Sequence, residues 1–108
     1  MTVAAPAEPI SRRIATLTAH RFDVYLYSDD RRKTRDDSLT ASDDVRGFVL
    51  DPDGSVSSYA CSVTSYSLGQ FYFTLSNSAH STAGDAQCDV KVNRVLMGSF
   101  KWEFVAKL

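Results

Sequence analysis

The stretch "DAQCDVKVNRVLMGSFKWEFV", Asp85–Val105, decides how this chain folds. Its first eight residues alternate, with Ala86, Cys88, Val90 and Val92 apolar and Asp85, Gln87, Asp89 and Lys91 polar. A period of two is that of a strand with one face dry and one face wet. Asn93-Arg94 then fits a two-residue hairpin turn, because asparagine tolerates a positive φ. On the way back Phe100, Trp102 and Phe104 share one face, and Ser99, Lys101 and Glu103 share the other. The pattern predicts a long β-hairpin.

The same alternation recurs upstream. In "GQFYFTLS" (Gly69–Ser76) Phe71, Phe73 and Leu75 point one way and Gln70, Tyr72 and Thr74 the other. In "RFDVYLYS" (Arg21–Ser28) Phe22, Val24 and Leu26 oppose Asp23, Tyr25 and Tyr27. "DVRGFVL" (Asp44–Leu50) reads as a strand that ends in "DPDGS", where Pro52 presets a turn and Gly54 supplies a positive φ. "SVSSYACSV" (Ser55–Val63) is expected to return as one partner strand. Ile14, Thr16 and Leu17 permit a short first strand. "NSAHSTAG" (Asn77–Gly84) is a small-residue link with room for one helical turn capped by Asn77 or Ser78. Residues 1–12 carry Pro6 and Pro9, which block a helix and a central strand, so they are expected to form an extended arm. Residues 13–108 then form a single all-β sandwich domain of about seven short strands.

Length and charge narrow the rest. A chain of 108 residues holds one core, large enough to stand without a metal or a disulfide. A net charge of −1 gives no field that gathers nucleic acid or an anionic membrane. No apolar run approaches the roughly 20 residues of a spanning helix. The start, "MTVAAPAEPISRR", lacks the basic and apolar segments of a signal peptide, so synthesis in the cytoplasm is expected. In that compartment Cys61 and Cys88 are expected to be free, buried thiols.

The most charged stretch, "SDDRRKTRDDSLTASDD" (Ser28–Asp44), admits several readings. Its aspartates could collect a cation, but Arg31, Arg32, Lys33 and Arg35 already supply the counter-charge. Those cations could meet phosphate, yet the flanking aspartates cancel their field within a Debye length of roughly 8 Å. The loop also lacks the interleaved aromatics of a single-strand platform. A self-neutralised, solvated connection between strands is the reading retained. "DPDGS" lacks the remaining ligands of a calcium loop, and His20 and His80 have no further ligand at zinc spacing. A nucleophile could be assembled from Cys61 or Cys88 with His80 and an aspartate, but no strand–turn–helix motif surrounds either cysteine. No catalytic, cofactor or metal site is expected. Tyr25, Tyr27 and Tyr72 fall on strand faces opposite the apolar stripes, where tyrosine suits a protein interface.

Taken together, "DVYLYSDD", "DSLTASDDVRGFVLDPDGSV", "SLGQFYFTLS" and "GSFKWEFVAKL" resemble the immunoglobulin-like β-sandwich of tailed-phage virion proteins. The comparison is with the N-terminal domain of baseplate upper proteins and with head-fibre and neck accessory proteins. It spans roughly residues 15–105 and rests on turn glycines and alternation. "DSLTAS" departs from it in having no glycine, and Ala86-Gln87 stands where an aromatic follows Gly84 in the pattern. The resemblance implies a non-enzymatic assembly or attachment module in a virion, with other capsid, neck or baseplate proteins as partners and with homo-oligomers. It carries over no functional residue. The interface expected from the residues is Tyr25, Tyr27 and Tyr72 with Arg31, Arg32, Lys33 and Arg35, the charged loop pairing with a second copy of itself. The alternative is recognition of a host-surface glycan through Tyr72 or Trp102.

Overall fold

A computed structural model describes residues 3–6, 13–29, 31 and 33–107. The expected interface residue Arg32 lies outside them, as do Asp30 and most of the expected arm. The described residues form nine strands: β1 (Val3–Pro6), β2 (Arg13–Ala15), β3 (Arg21–Tyr27), β4 (Val45–Leu50), β5 (Val56–Ala60), β6 (Ser62–Ser65), β7 (Gln70–Thr74), β8 (Gly84–Val92) and β9 (Val95–Val105). They make a four-stranded sheet in the order β1-β3-β7-β6 and a five-stranded sheet in the order β2-β9-β8-β4-β5.

The opening hairpin forms as its pattern requires. Asn93 and Arg94 both adopt positive φ, 51° and 71°, which is the two-residue turn that matches strand twist. β8 and β9 pair from Val92 against Val95 to Gly84 against Phe104, with one register shift at Val90–Lys91. Their inward residues Ala86, Cys88, Val90, Val92, Trp102 and Phe104 are buried. The facing sheet supplies Phe22, Val24 and Leu26 from β3 and Phe71 and Phe73 from β7. Phe22 lies 4.7 Å by centroid from Trp102 across the layers and 5.3 Å from Phe73 beside it in the same sheet. Each such apolar side chain contributes about 1.5–3 kcal/mol through burial. Gly47 on β4 makes room for this packing, since a Cβ there would stand 2.8 Å from the Phe73 ring.

Three local expectations change. The run Ser55–Val63 is not one strand: β5 pairs with β4, while β6 pairs with β7 in the other sheet. The chain switches sheets at Cys61, whose N–H still donates to the Val45 carbonyl. "NSAHSTAG" contains no helical turn. Ser76 Oγ accepts the Ser78 N–H instead, and His80 takes φ 60°. Within residues 1–12, Val3–Pro6 pairs antiparallel with β3 of the same chain. Pro6 is tolerated there because β1 is an edge, so its missing N–H breaks no central ladder. β2 runs parallel to β9, a departure from the antiparallel rule elsewhere.

Candidate functional site

The outward residues of β3 and β7 build one face. Register places Asp23 opposite Tyr72 and Tyr25 opposite Gln70, with Tyr27 beyond them at the end of β3. β7 stops at Gln70, and the charged loop takes over its place beside β3. Tyr27 bridges Arg35, Ser28 N–H donates to the Thr34 carbonyl, and Asp36 N–H donates to the Leu26 carbonyl. Gly69 permits this approach, because a Cβ at its φ of 58° would fall 2.6 Å from the Asp36 carbonyl oxygen.

That docking lays the Arg35 guanidinium on the tyrosines, and Arg21 at the start of β3 lays a second one on Tyr72. Arg35 sits 3.3 Å above the Tyr25 ring and 5.6 Å from Tyr27, and its Nη1 donates to the Leu68 carbonyl. Arg21 sits 4.0 Å above Tyr72 and donates to Asp23 Oδ1 through Nε and Nη2. Tyr25, Tyr27 and Tyr72 are half-buried beneath these cations. Each guanidinium is therefore held flat by both an aromatic face and a hydrogen bond, and little side-chain freedom remains to be lost on binding.

Four of the expected interface residues, Tyr25, Tyr27, Tyr72 and Arg35, thus meet on one surface. Arg31 and Lys33 are exposed on the loop and make no such stacked contact. Arg21 belongs to the face and had no distinguishing signal except its two-residue offset from Asp23 and its register against Thr74. The loop itself is less solvated than its composition suggests. Asp36 and Leu39 are buried, Asp29 Oδ1 accepts the Lys33 and Thr34 N–H groups, and Asp36 Oδ1 accepts from Ser38. The last aspartate pair fastens the loop to the β8–β9 turn: Asn93 Nδ2 donates to Asp43 Oδ1, and Asp44 N–H donates to Asn93 Oδ1. The Asn93 bond holds the Asp43 carboxyl below its ordinary range.

A second polar group lies inside the sandwich. Asp51 Oδ1 is 2.6 Å from His80 Nδ1, and Tyr59 Oη is 2.6 Å from His80 Nε2. The Tyr59 oxygen also accepts the Ser76 N–H, and His80 stacks on Phe104 at 5.5 Å. Asp51 follows β4, Tyr59 lies on β5, and Ser76 and His80 lie in the β7–β8 link, so the group ties both sheets together. Its side chains at His80 and Asp51 are 2% and 9% exposed. A carboxylate only accepts, so Nδ1 donates to Asp51, and Nε2 shares the second hydrogen bond with the Tyr59 hydroxyl. Both ring nitrogens are thereby occupied by Asp51 and Tyr59, and neither cysteine is a partner.

The cysteines are free thiols, Cys88 buried and Cys61 packed against the core. Burial pushes the Cys61 thiol up to about 12 and the Cys88 thiol higher still, the opposite of an activated nucleophile. Trp102, one of the two residues of the glycan alternative, is 4% exposed. Tyr72, the other, is covered by Arg21. A groove of about 700 Å³ lies beside the Asp51–Gly54 turn, where Asp85 and Glu103 mix with Lys101.

No family model matches this chain, and no curated protein matches it. Among solved structures it is similar to the crystal structure of the Lin-41 filamin domain, with a TM-score of 0.61 and 17% identity. The match covers 94% of this chain and 91% of that one. At this identity the likeness shows the fold alone. The chain is an immunoglobulin-like β-sandwich.

Proposed function

We propose that this chain is a structural interaction module without catalytic activity, which docks on other proteins of a tailed-phage virion through its tyrosine–arginine face. One observation carries the interface reading: Tyr25, Tyr27 and Tyr72 come together under Arg21 and Arg35 on a rigid sheet. Tyrosine and arginine are the residues that dominate binding energy at protein contacts. A sheet face under pinned cations offers them in one arrangement, so an encounter does not have to order them first. The phage setting rests on the sequence resemblance over residues 15–105.

Particles purified from a phage host that carries the gene provide the test. The native chain is expected to co-sediment with particles, and the double variant Tyr25→Ala, Arg35→Ala to be lost from them while keeping its circular dichroism spectrum. Full incorporation of the double variant, or absence of the native chain from every particle fraction, would overturn the reading.

A further inference from the structure

A sandwich of two open sheets has four edges, and each edge is a row of unpaired backbone groups that invites another strand. Three of the four carry a guard. β1 ends in Pro6. β2 is three residues long and includes Arg13, whose Nε lies 3.4 Å from Glu103. β6 is broken by a register shift between Val63 and Ser65, which bends a strand away from straight pairing. β5, "VSSYA", has none of these. It holds no proline and no bulge in its register with β4, and from Gly54 to Gly84 the chain contains no Asp, Glu, Lys or Arg.

The backbone directions along β5 follow from its neighbours. The Ser55 carbonyl accepts the Asp51 N–H, and the Cys61 N–H donates to the Val45 carbonyl. Hydrogen-bonding direction alternates along an antiparallel strand, so Ser57 and Tyr59 also turn their groups toward β4. Val56, Ser58 and Ala60 therefore turn theirs outward. These three are also the residues whose side chains are exposed, and Val56 at 62% lies beside Leu50 at 44%.

From this geometry we infer that β5 pairs with β5 of a second copy, antiparallel and centred on Ser58. A two-fold axis there sets Val56 against Ala60 of the second copy and Ser58 against Ser58, closing about six N–H···O bonds. The two five-stranded sheets become one continuous sheet across the axis. The β5 side chains that meet at the seam, Val56, Ser58 and Ala60, are uncharged, and the exposed Val56 gains cover. Each Arg46 on the neighbouring strand reaches Ser58 Oγ with its Nη1 at 3.5 Å, and its charge there is offset by its own Asp44 at 3.0 Å. The contact is separate from the tyrosine–arginine face and from the charged loop.

Sedimentation velocity on the full chain tests the pairing by a charge swap at the axis. The native protein is expected to run as a dimer. Ser58→Lys and Ser58→Glu should each run as a monomer that keeps the native circular dichroism spectrum, because the residue is exposed and like charges then face each other. Mixing the two variants should restore the dimer. Arg31→Ser with Lys33→Ser should leave the mass unaltered. A native protein that is monomeric or grows past a dimer, variants that stay dimeric, a mixture that stays monomeric, or dimers lost through the loop variant would each overturn the inference.

Discussion

Tyr59 and Tyr25 lie in the same sandwich and are used in opposite ways. Tyr59 turns inward, stacks on Phe73 at 5.6 Å, and gives its hydroxyl to His80 and Ser76. Tyr25 turns outward and gives only its ring, to the guanidinium of Arg35. The inner group is a closed set of donors and acceptors in a dry setting, where losing one member strands the others. The outer face is a set of flat surfaces in a wet one, where each contact is weak and water replaces what is lost. Stability should therefore follow the inner tyrosine and association the outer ones.

The sharpest way to break this contrast is at the inner histidine. His80→Ala leaves the buried Asp51 carboxylate and the Tyr59 hydroxyl without their main partner, at a cost of about 3–5 kcal/mol in urea unfolding. A loss below about 1 kcal/mol would mean that water enters the site and that the group is no tie between the sheets. Tyr59→Phe keeps the ring against Phe73 but removes the hydroxyl, stranding His80 Nε2 and the Ser76 N–H. About 1–3 kcal/mol is expected from the same measurement.

The sequence displayed these two sites very unequally. Strand alternation announced the outer face, because Tyr25, Tyr27 and Tyr72 sit at positions a period of two must turn outward. Tyr59 sits in "SVSSYACSV", whose small residues leave the direction of each position unmarked. Its inward turn follows from a register against Gly47, and the sheet switch at Cys61 depends on where β7 lies. The Asp51–His80 contact joins residues from a turn and a loop, with no shared periodicity to link them. Asp51 in "DPDGS" reads as turn chemistry and does serve the turn, its carbonyl accepting the Gly54 N–H, so its second role as acceptor for His80 left no separate trace. The charged loop is less solvated than its composition predicts for a related reason. Asp36 and Leu39 are buried only because Gly69 lets the loop in beside β3.

The outer face should show the reverse balance. Arg35→Ala is expected to lower stability by no more than about 1 kcal/mol, since a half-buried cation–π contact is worth about that. Partner capture from particle components should nonetheless fall at least about tenfold, an effect of about 1.4 kcal/mol on binding. Arg35→Lys should rescue little of it, because an ammonium neither stacks flat on Tyr25 nor reaches the Leu68 carbonyl with the same fork. Equal binding by Arg35→Lys and the native chain would reduce the face to a patch of charge.

The smallest effect separates the two histidines, which differ as the two tyrosines do. His20 packs edge-on against Phe22 at 4.8 Å, and burial lowers its affinity for a proton below the ordinary value of 6.5. The folded chain therefore prefers the neutral ring more strongly than the unfolded chain does. Above 6.5 the ring is neutral in both states and its contribution to stability is fully present. As the pH falls through 6.5 the unfolded chain takes the proton first, and stability drops until the folded ring is protonated too. Urea midpoints measured from pH 7.5 down to 5 should fall more steeply for the native chain than for His20→Gln. Parallel curves would show that His20 is solvated in solution and would remove its contribution to acid sensitivity.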